Sequence, residues 1–401
     1  MEIITTLYLI ISGIIVFFLI FPFLKVLLSA FGSEKMGDGK VTKQYDFGSI
    51  ITAYRNAEIT KPLIQSLIKQ NYANHHIYLV ADNCDITGWD VEHEKLTVLN
   101  PQPALNLKAK SIIHGIENFV RAHEYIAVFD GDNLAHPDFF KEINKYANAG
   151  HRSIQGQRTA KNLDTRYACM DALGEFYKNY VERYVPYLIG SSAVISGSGM
   201  AVESELYQAY LNGEEIQKGK EKWKKMLQED KILQNDLLDK NEKIAYAWNA
   251  IVYDEKVTTG DAVETQRSRW LYSYFQNLPN SSRILAKGIF GFRWNQLLFG
   301  LVTIAPPLFI MLAIALVLTV IGLFLQPVMS IILVAALAIF SLNILLTLKL
   351  SQVPKQVWSA VWSLPLFVLK QVTALVKMGN PNKNFKHTEH TRKVTIDDVL
   401  K

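Results

Sequence analysis

Three acidic clusters in this chain carry residue types and spacings that could do chemistry. Asp130-Gly-Asp132 comes directly after the apolar run Tyr125-Ile-Ala-Val-Phe129. Two carboxylates one residue apart can share a hard divalent cation with phosphate oxygens. Mg2+ or Mn2+ held there would neutralise charge on a departing nucleoside diphosphate. Turns after strands are also rich in Asp and Gly for local reasons, so taken alone the pair leaves both readings open. Asp82 and Asp85 end a second apolar run, His76-Ile-Tyr-Leu-Val-Ala81, and alone read as turn residues. Glu229-Asp230 precedes a short helical pattern. A carboxylate there could take the proton of a sugar hydroxyl, or could simply favour the positive start of a helix.

Other residues suit the same chemistry. Tyr54 offers a flat ring to a base, and with Glu58, Asp82 and Asp130 it would line one crevice. Lys108 opens a helix after Asn106-Leu107, where a cation and the helix start could meet a diphosphate. A solvated lysine is the competing reading. Gln266-Arg-Ser-Arg-Trp270 joins guanidinium groups, which pair bidentately with phosphate, to an indole that stacks on sugar faces. A basic-aromatic anchor beside a membrane is the plainer alternative.

The elements that must position these residues follow a strand–helix alternation. Gly48-Ser-Ile-Ile-Thr-Ala53, His76–Ala81, Leu96–Leu99 and Tyr125–Phe129 read as strands. Glu58–Gln70 and Lys108–Val120 have helical spacing of apolar residues. The fold class expected is α/β: a mostly parallel sheet covered on both faces, with ligands beyond the carboxyl ends of the strands. Further on, Arg166–Val185 reads as one long helix, Gly197-Ser198-Gly199 as a tight loop after an apolar strand, Gly213–Leu227 as a solvated lysine-rich surface, and Lys231–Leu238 as a short helix.

Charge distribution divides the 401 residues. Ile3–Leu24 and Trp294–Leu348 carry no charge, and a span takes about 20 apolar residues, so they fit one and two spans. Gln326-Pro327 marks the break. The first run is too long, and lacks the positive start, for a cleaved signal. Lys25, Lys35, Lys40 and Lys43 follow it, and Lys383, Lys386, Arg392 and Lys393 stand near the other end. The positive-inside tendency then puts the polar domain and the tail in the cytoplasm. Gln356–Leu369, with Trp358 and Trp362, reads as an interfacial helix, with a fourth span as the competing reading. The resulting segments are 1–32 (span), 33–270 (catalytic domain), 271–295 (interfacial), 296–350 (two spans), 351–378 (interfacial helix or further span) and 379–401 (tail). A net charge of +5 fits an anionic leaflet rather than nucleic acid, so the bilayer is an expected partner and nucleic acid is not. Cys84 and Cys169 read as reduced thiols.

In order, these motifs resemble the family 2 glycosyltransferases of the membrane-integrated, processive kind, such as cellulose, hyaluronan, chitin and poly-N-acetylglucosamine synthases. The resemblance covers about Gly48–Trp270 and the membrane layout. It implies a GT-A type nucleotide-sugar-binding domain and an inverting transfer, usually from a UDP-sugar, to a growing polysaccharide or lipid-linked acceptor at the plasma membrane. It further implies Asp82 as the uracil contact, Lys108 as the lysine of a Gly-Lys pair, Asp130 and Asp132 as metal ligands, Gly197-Ser198-Gly199 as the acceptor-side loop and Asp230 as the base beside Glu229. Gln266, Arg267, Arg269 and Trp270 match the Gln-X-X-Arg-Trp signature. The sequence departs from the pattern at Thr52-Ala-Tyr-Arg-Asn-Ala-Glu58, where Glu58 is displaced, at Leu107 in place of Gly, and at Gln228 in place of Thr. Other polysaccharide-export subunits are conceivable partners. Single-sugar addition to a lipid, a silent subunit of an export complex, and nucleotidyl transfer are the rival functions.

Overall fold

The structure is a computed structural model, and it describes residues 2–36, 40–222, 228–364, 375 and 394–401. The chain starts with helix α1 (Glu2–Ser29) and then builds β1 (Phe47–Tyr54), α2 (Lys61–Ile68), β2 (His75–Asp82), β3 (Leu96–Leu99), α3 (Lys108–Glu117) and β4 (Tyr125–Asp130). There follow β5 (Leu134–Ala135), α4 (Phe139–Asn148), β6 (Ser153–Ala160), α5 (Arg166–Lys178), α6 (Val185–Leu188), β7 (Met200–Glu203), α7 (Ser204–Leu211), α8 (Glu214–Lys222), α9 (Glu229–Asp239) and β8 (Ile244–Asp254). The C-terminal part is helical: α10 (Gly260–Phe290), α11 (Trp294–Ile304), α12 (Leu308–Leu325), α13 (Pro327–Leu350) and α14 (Lys355–Ala360).

One eight-stranded sheet has the order β3-β2-β1-β4-β7-β6-β8-β5. β2 is buried along its whole length, as a central parallel strand with both faces covered should be. Register fixes what the strands deliver. Tyr54 pairs with Asp82, and Thr52 with Asp130, so the three strand ends share one edge. The sheet is mixed, however. β7 runs antiparallel to β4 and β6, and β5 antiparallel to β8, so the parallel expectation holds only for β1–β4 and for the β6–β8 pair.

Four further expectations are corrected. The segment 166–185 is not one helix: α5 ends at Lys178 and a π-helical stretch, Asn179–Tyr184, leads into α6. No strand precedes Gly197; the strand β7 follows the loop. Leu271–Trp294 is not a separate interfacial helix, because α10 runs unbroken from Gly260 through Pro279 to Phe290. The first eleven residues of the long apolar run, α11, do not belong to a span either. They pack on α10, where Gly288 and Gly300 let the backbones touch: a Cβ on Gly300 would lie 2.6 Å from the Leu285 Cα.

Three helices, α1, α12 and α13, are long and apolar enough to cross a membrane, with mean hydropathies of 2.7, 3.0 and 2.7. They pack around Leu19, Ala315, Leu333 and Ala336. Two hydroxyls inside this trio bond across it: the Tyr8 hydroxyl donates to the Leu318 carbonyl at 3.1 Å, and the Ser330 hydroxyl to the Thr319 carbonyl at 2.8 Å. Large apolar side chains such as Ile10, Leu316, Phe324 and Ile331 face outward and exposed, as a lipid-facing surface requires. The trio is joined to the sheet domain through α5 and the turn after it. Lys25 donates to the Val181 carbonyl at 3.0 Å, and Asn343 to the Tyr177 hydroxyl at 3.3 Å. Of the interfacial segment, α14 and the turn Val361–Ser363 are described and rest on α5; residues 365–374 and the tail's Lys383, Lys386, Arg392 and Lys393 lie outside the described residues.

Candidate active site

Parallel strands bring their carboxyl ends to one edge, and the charged residues converge there. The Lys108 ammonium is the centre: it lies 2.7 Å from Asp130 Oδ1, 3.0 Å from the Gly197 carbonyl and 3.4 Å from Glu229 Oε1. Burial works against this cation, but Asp130 and Glu229 outweigh it and hold its pKa well above the lysine range. Burial pushes the Glu229 carboxyl up, Lys108 opposes, and Asp230 adds to the rise. The start of α9 aims both acids inward, because Gln228 takes a left-handed conformation at the cap and the Tyr210 hydroxyl anchors the Glu229 carbonyl at 2.5 Å.

The glycine loop fits against these acids. Gly197 has φ +82 and Gly199 φ +62, conformations that side-chain-bearing residues rarely adopt. The Asp230 carboxyl packs against Gly197, within 3.5 Å of where a Cβ would stand. Ser198 is fully buried and holds the loop to the acidic turn: its hydroxyl bonds Asn133 Oδ1, and the Asp130 N–H donates to both Asn133 Oδ1 and Ser198 Oγ, at 3.1 and 3.3 Å. Asp132 is almost wholly buried, and its carbonyl accepts from Lys161 at 3.2 Å.

Not every expected residue joins the cluster. Asp82 is buried, and its two carboxylate oxygens accept the Leu105 and Asn106 N–H groups at 2.7 Å each, which shapes the loop leading to Lys108. Tyr54 stands beside it and donates to Asn106 Oδ1 at 3.0 Å. Glu58 points elsewhere: half-exposed, it pairs with Lys61 at 2.7 Å, and Lys61 also holds Asp90. Of the residues expected to line one crevice, Tyr54, Asp82 and Asp130 stand at adjoining strand ends and Glu58 stands apart from them.

Helix α10 connects the acids to the apolar helices. Gln266, Trp270, Ser273 and Asn277 recur at helical spacing on one face. Ser273 donates to Gln228 Oε1 at 2.7 Å and Asn277 accepts from Asn235 at 2.7 Å, so that face lies along α9. Arg267 turns to α5, pairing with Asp171 at 2.6 Å and lying 4.5 Å over the Trp270 ring. Burial lowers the pKa of Arg269.

Sequence reading missed a buried charge network behind the site. Arg158 pairs with Asp254 at 2.6 Å and Glu175 at 3.4 Å, Arg183 with Glu175 at 2.9 Å, and Lys256 with Asp254 at 3.1 Å. Burial alone would lift the Glu175 carboxyl, but Arg158, Arg183 and Lys256 drive it far below the usual range. Arg158 also donates to the Ser196 carbonyl at 3.0 Å, just before the glycine loop, and feels the charges of Asp130 and Asp132. The available signal was a run of charged residues, Glu175, Lys178 and Glu182, inside an otherwise aromatic helical stretch.

A divalent cation would fit at Asp130 and Asp132. The Asp130 carboxylate already receives a cation, the Lys108 ammonium, and its side chain keeps 37% of its surface open. Among the described residues no group of three or more His, Cys, Asp or Glu side chains could hold a metal by itself. Two carboxylates with substrate phosphates completing the shell is the usual arrangement for Mg2+.

The fold and this edge of charged side chains define a sugar-transferring enzyme. Residues 46–273 match the family described as "Glycosyltransferase like family 2", and the chain belongs to that family; it is a glycosyltransferase. Among solved structures, a mannosyltransferase from Pyrobaculum calidifontis, in complex with GDP-Man and Mn2+, is 12% identical with a TM-score of 0.53, covering 91% of this chain and 98% of its own. It shares the GT-A-like fold. TarS of S. aureus is 14% identical with a TM-score of 0.40, over 60% of this chain and 40% of that one. No curated protein sequence matches.

Proposed function

We propose that the enzyme is an inverting, metal-dependent transferase that moves a sugar from a nucleotide-sugar, UDP-linked by preference, to a polysaccharide or lipid-linked acceptor at the plasma membrane. The observation that carries this is the convergence of Lys108 on Asp130, Gly197 and Glu229, with Asp230 against the same loop. Asp130 and Asp132 would hold Mg2+ or Mn2+, which supplies charge neutralisation to the leaving diphosphate. The P. calidifontis mannosyltransferase, which was solved with GDP-Man and Mn2+, supports a nucleotide-sugar donor and a divalent metal, though not the UDP preference. Lys108 turns its ammonium to the diphosphate. Asp82 and Tyr54, with Thr52 beside Asp130, form the nucleotide side of the crevice.

Asp230 takes the proton of the acceptor hydroxyl, which attacks the anomeric carbon on the face opposite the diphosphate, so the configuration inverts. Gly197, Ser198 and Gly199 shape the acceptor side without side-chain bulk. Gln266, Arg267, Arg269 and Trp270 hold diphosphate and sugar where α10 leaves the domain. The polar domain, 33–270, faces the cytoplasm, and the three apolar helices cross the bilayer. Full-length protein in membranes, given a panel of UDP- and GDP-sugars, should release nucleoside diphosphate with one of them and lose that activity in excess chelator. Release that persists in chelator would remove the metal from this reading. No release from any of the panel would remove the reading itself.

A further inference from the structure

Helix α9 starts in an unusual way, at the residue just before the two acids. Gln228 is its N-cap, a position where Ser, Thr, Asp or Asn in extended backbone bonds a free N–H of the first turn. Gln228 does neither. Its side chain makes no cap bond, and its backbone is left-handed, with φ 56° and ψ 44°. A residue with a side chain holds that conformation only where its surroundings impose it. Here they lie on α10: Gln228 Oε1 accepts from the Ser273 hydroxyl at 2.7 Å. Where the family pattern has Thr, this chain has Gln, which is long enough to cross to the next helix.

The left-handed turn decides where the next two residues go. The Glu229 carbonyl meets the Tyr210 hydroxyl at 2.5 Å, and the Asp230 carboxyl lies against Gly197. The Gln228 carbonyl stays with the helix and accepts the Lys231 and Ile232 N–H groups at 3.0 and 3.1 Å. Further along, α9 and α10 are joined again. Asn235 donates to Asn277 at 2.7 Å, and Asp239 pairs with Arg283 at 2.5 Å and with Lys287 at 2.7 Å. These links advance together along both helices, so α9 takes its axial setting from α10; polar pairs fix a register that apolar packing alone leaves loose. Trp270 and Gln266 lie one and two turns before Ser273 on the same helix.

We infer that Gln228 and Ser273 are positioning residues for the transfer: their bond holds the left-handed start of α9 and so sets Asp230 against the acceptor that Gln266 and Trp270 grip. This rests on the reading of Asp230 as the base, and adds what fixes its place. Base and acceptor grip are then referenced to one helix, the helix that leads on to the apolar segments.

The test compares full-length proteins in membranes by nucleoside diphosphate release from UDP- and GDP-sugars. Ser273→Ala and Gln228→Gly each remove the bond, and Gly keeps the left-handed backbone without steric cost. Each should lower kcat about 10-fold, since the rate falls steeply when a reacting group is misplaced. Donor KM, and UDP or GDP affinity, should stay within about twofold. The double variant should be no slower than the slower single, because the same bond is lost only once. Ser273→Thr keeps the hydroxyl and should keep the rate. A bond that serves stability alone would lower the unfolding midpoint and leave kcat of the folded enzyme unchanged, which would overturn the inference. So would losses that multiply in the double variant, or a donor KM that rises while kcat holds, which would put Gln228 in the donor site. Asp230→Asn separates the two readings. With the base correctly assigned it collapses transfer in all of these cases, whereas transfer that survives Asp230→Asn would fall on the base reading itself.

Discussion

The two neighbouring acids at the start of α9 have different surroundings. Glu229 lies 3.4 Å from Lys108 with its side chain 15% exposed, whereas Asp230 is 24% exposed and packs on the glycine loop. Asp230 is thus the more open of the two carboxylates, as the base role proposed for it requires. Asp230→Asn keeps the shape and removes the basicity, so transfer should fall about 10²–10⁴-fold, roughly 3–5 kcal/mol of barrier. Nucleotide affinity, measured on the same preparation, should hold. An acid serving only the helix dipole is worth about 0.3–1 kcal/mol of stability, so transfer within about threefold of wild type would show that Asp230 is not the base. At this scale the sequence was readable at strand ends and helix starts: Asp130, Lys108 and Glu229 come together, with Asp230 against the same loop. It was unreadable where roles depend on partners far along the chain. Arg158 and Glu175 meet only in the fold, and Asp82, named as a nucleotide contact, also proves to be the clamp of the 105–106 backbone.

Elements were legible to the degree that one face is buried in one way. The parallel strands announced themselves as apolar runs, because both faces are covered. β7 was missed because four residues in a mixed sheet leave too short a pattern. The helix α11 was assigned to a span because apolar composition is the same whether a helix faces lipid or protein. α10 was split at Leu271 because its polar face, which runs along α9, gives way to aromatic residues there; the backbone continues regardless. Strand β2 carries its own pH response. His75 is buried, its ring bonds the Leu67 carbonyl, and burial with nearby Lys95 lowers its pKa from 6.5 to about 4. Between those values the unfolded chain holds a proton that the native state does not, so this contribution is complete above pH 6.5 and is lost as pH falls towards 4. Unfolding midpoints of full-length protein in detergent should drop across that window, and His75→Gln should flatten the drop. An unchanged slope in the variant would place the response elsewhere.

At the scale of the whole molecule, the sheet domain is fixed to the apolar helices through Lys25 to Val181 and Asn343 to Tyr177, and to the turn after α14 through Arg166 to Ser363. If α1, α12 and α13 each cross the bilayer, the sheet domain and the C-terminus share a side and the α12–α13 turn at Gln326 lies opposite. A reporter fused after Lys401 should read cytoplasmic, and one inserted beside Gln326 should read outside. A terminal reporter on the outside would require a further crossing after α14.

The bond from Tyr8 to Leu318 joins residues 310 positions apart in the chain. The ribosome delivers α1 long before α12 exists, so a first helix that enters the bilayer as it emerges would do so with its Tyr8 hydroxyl and buried Lys25 still waiting for their acceptors. The sheet domain can fold meanwhile, since all eight of its strands come from the stretch between Phe47 and Asp254. Val181, which receives Lys25, belongs to that stretch, but Leu318 does not. Assembly in the order of synthesis would dock the domain on the first helix before the late helices close over it. Chains halted before residue 308 should retain a folded catalytic domain yet leave α1 open to neighbours in the membrane, a natural target for quality control.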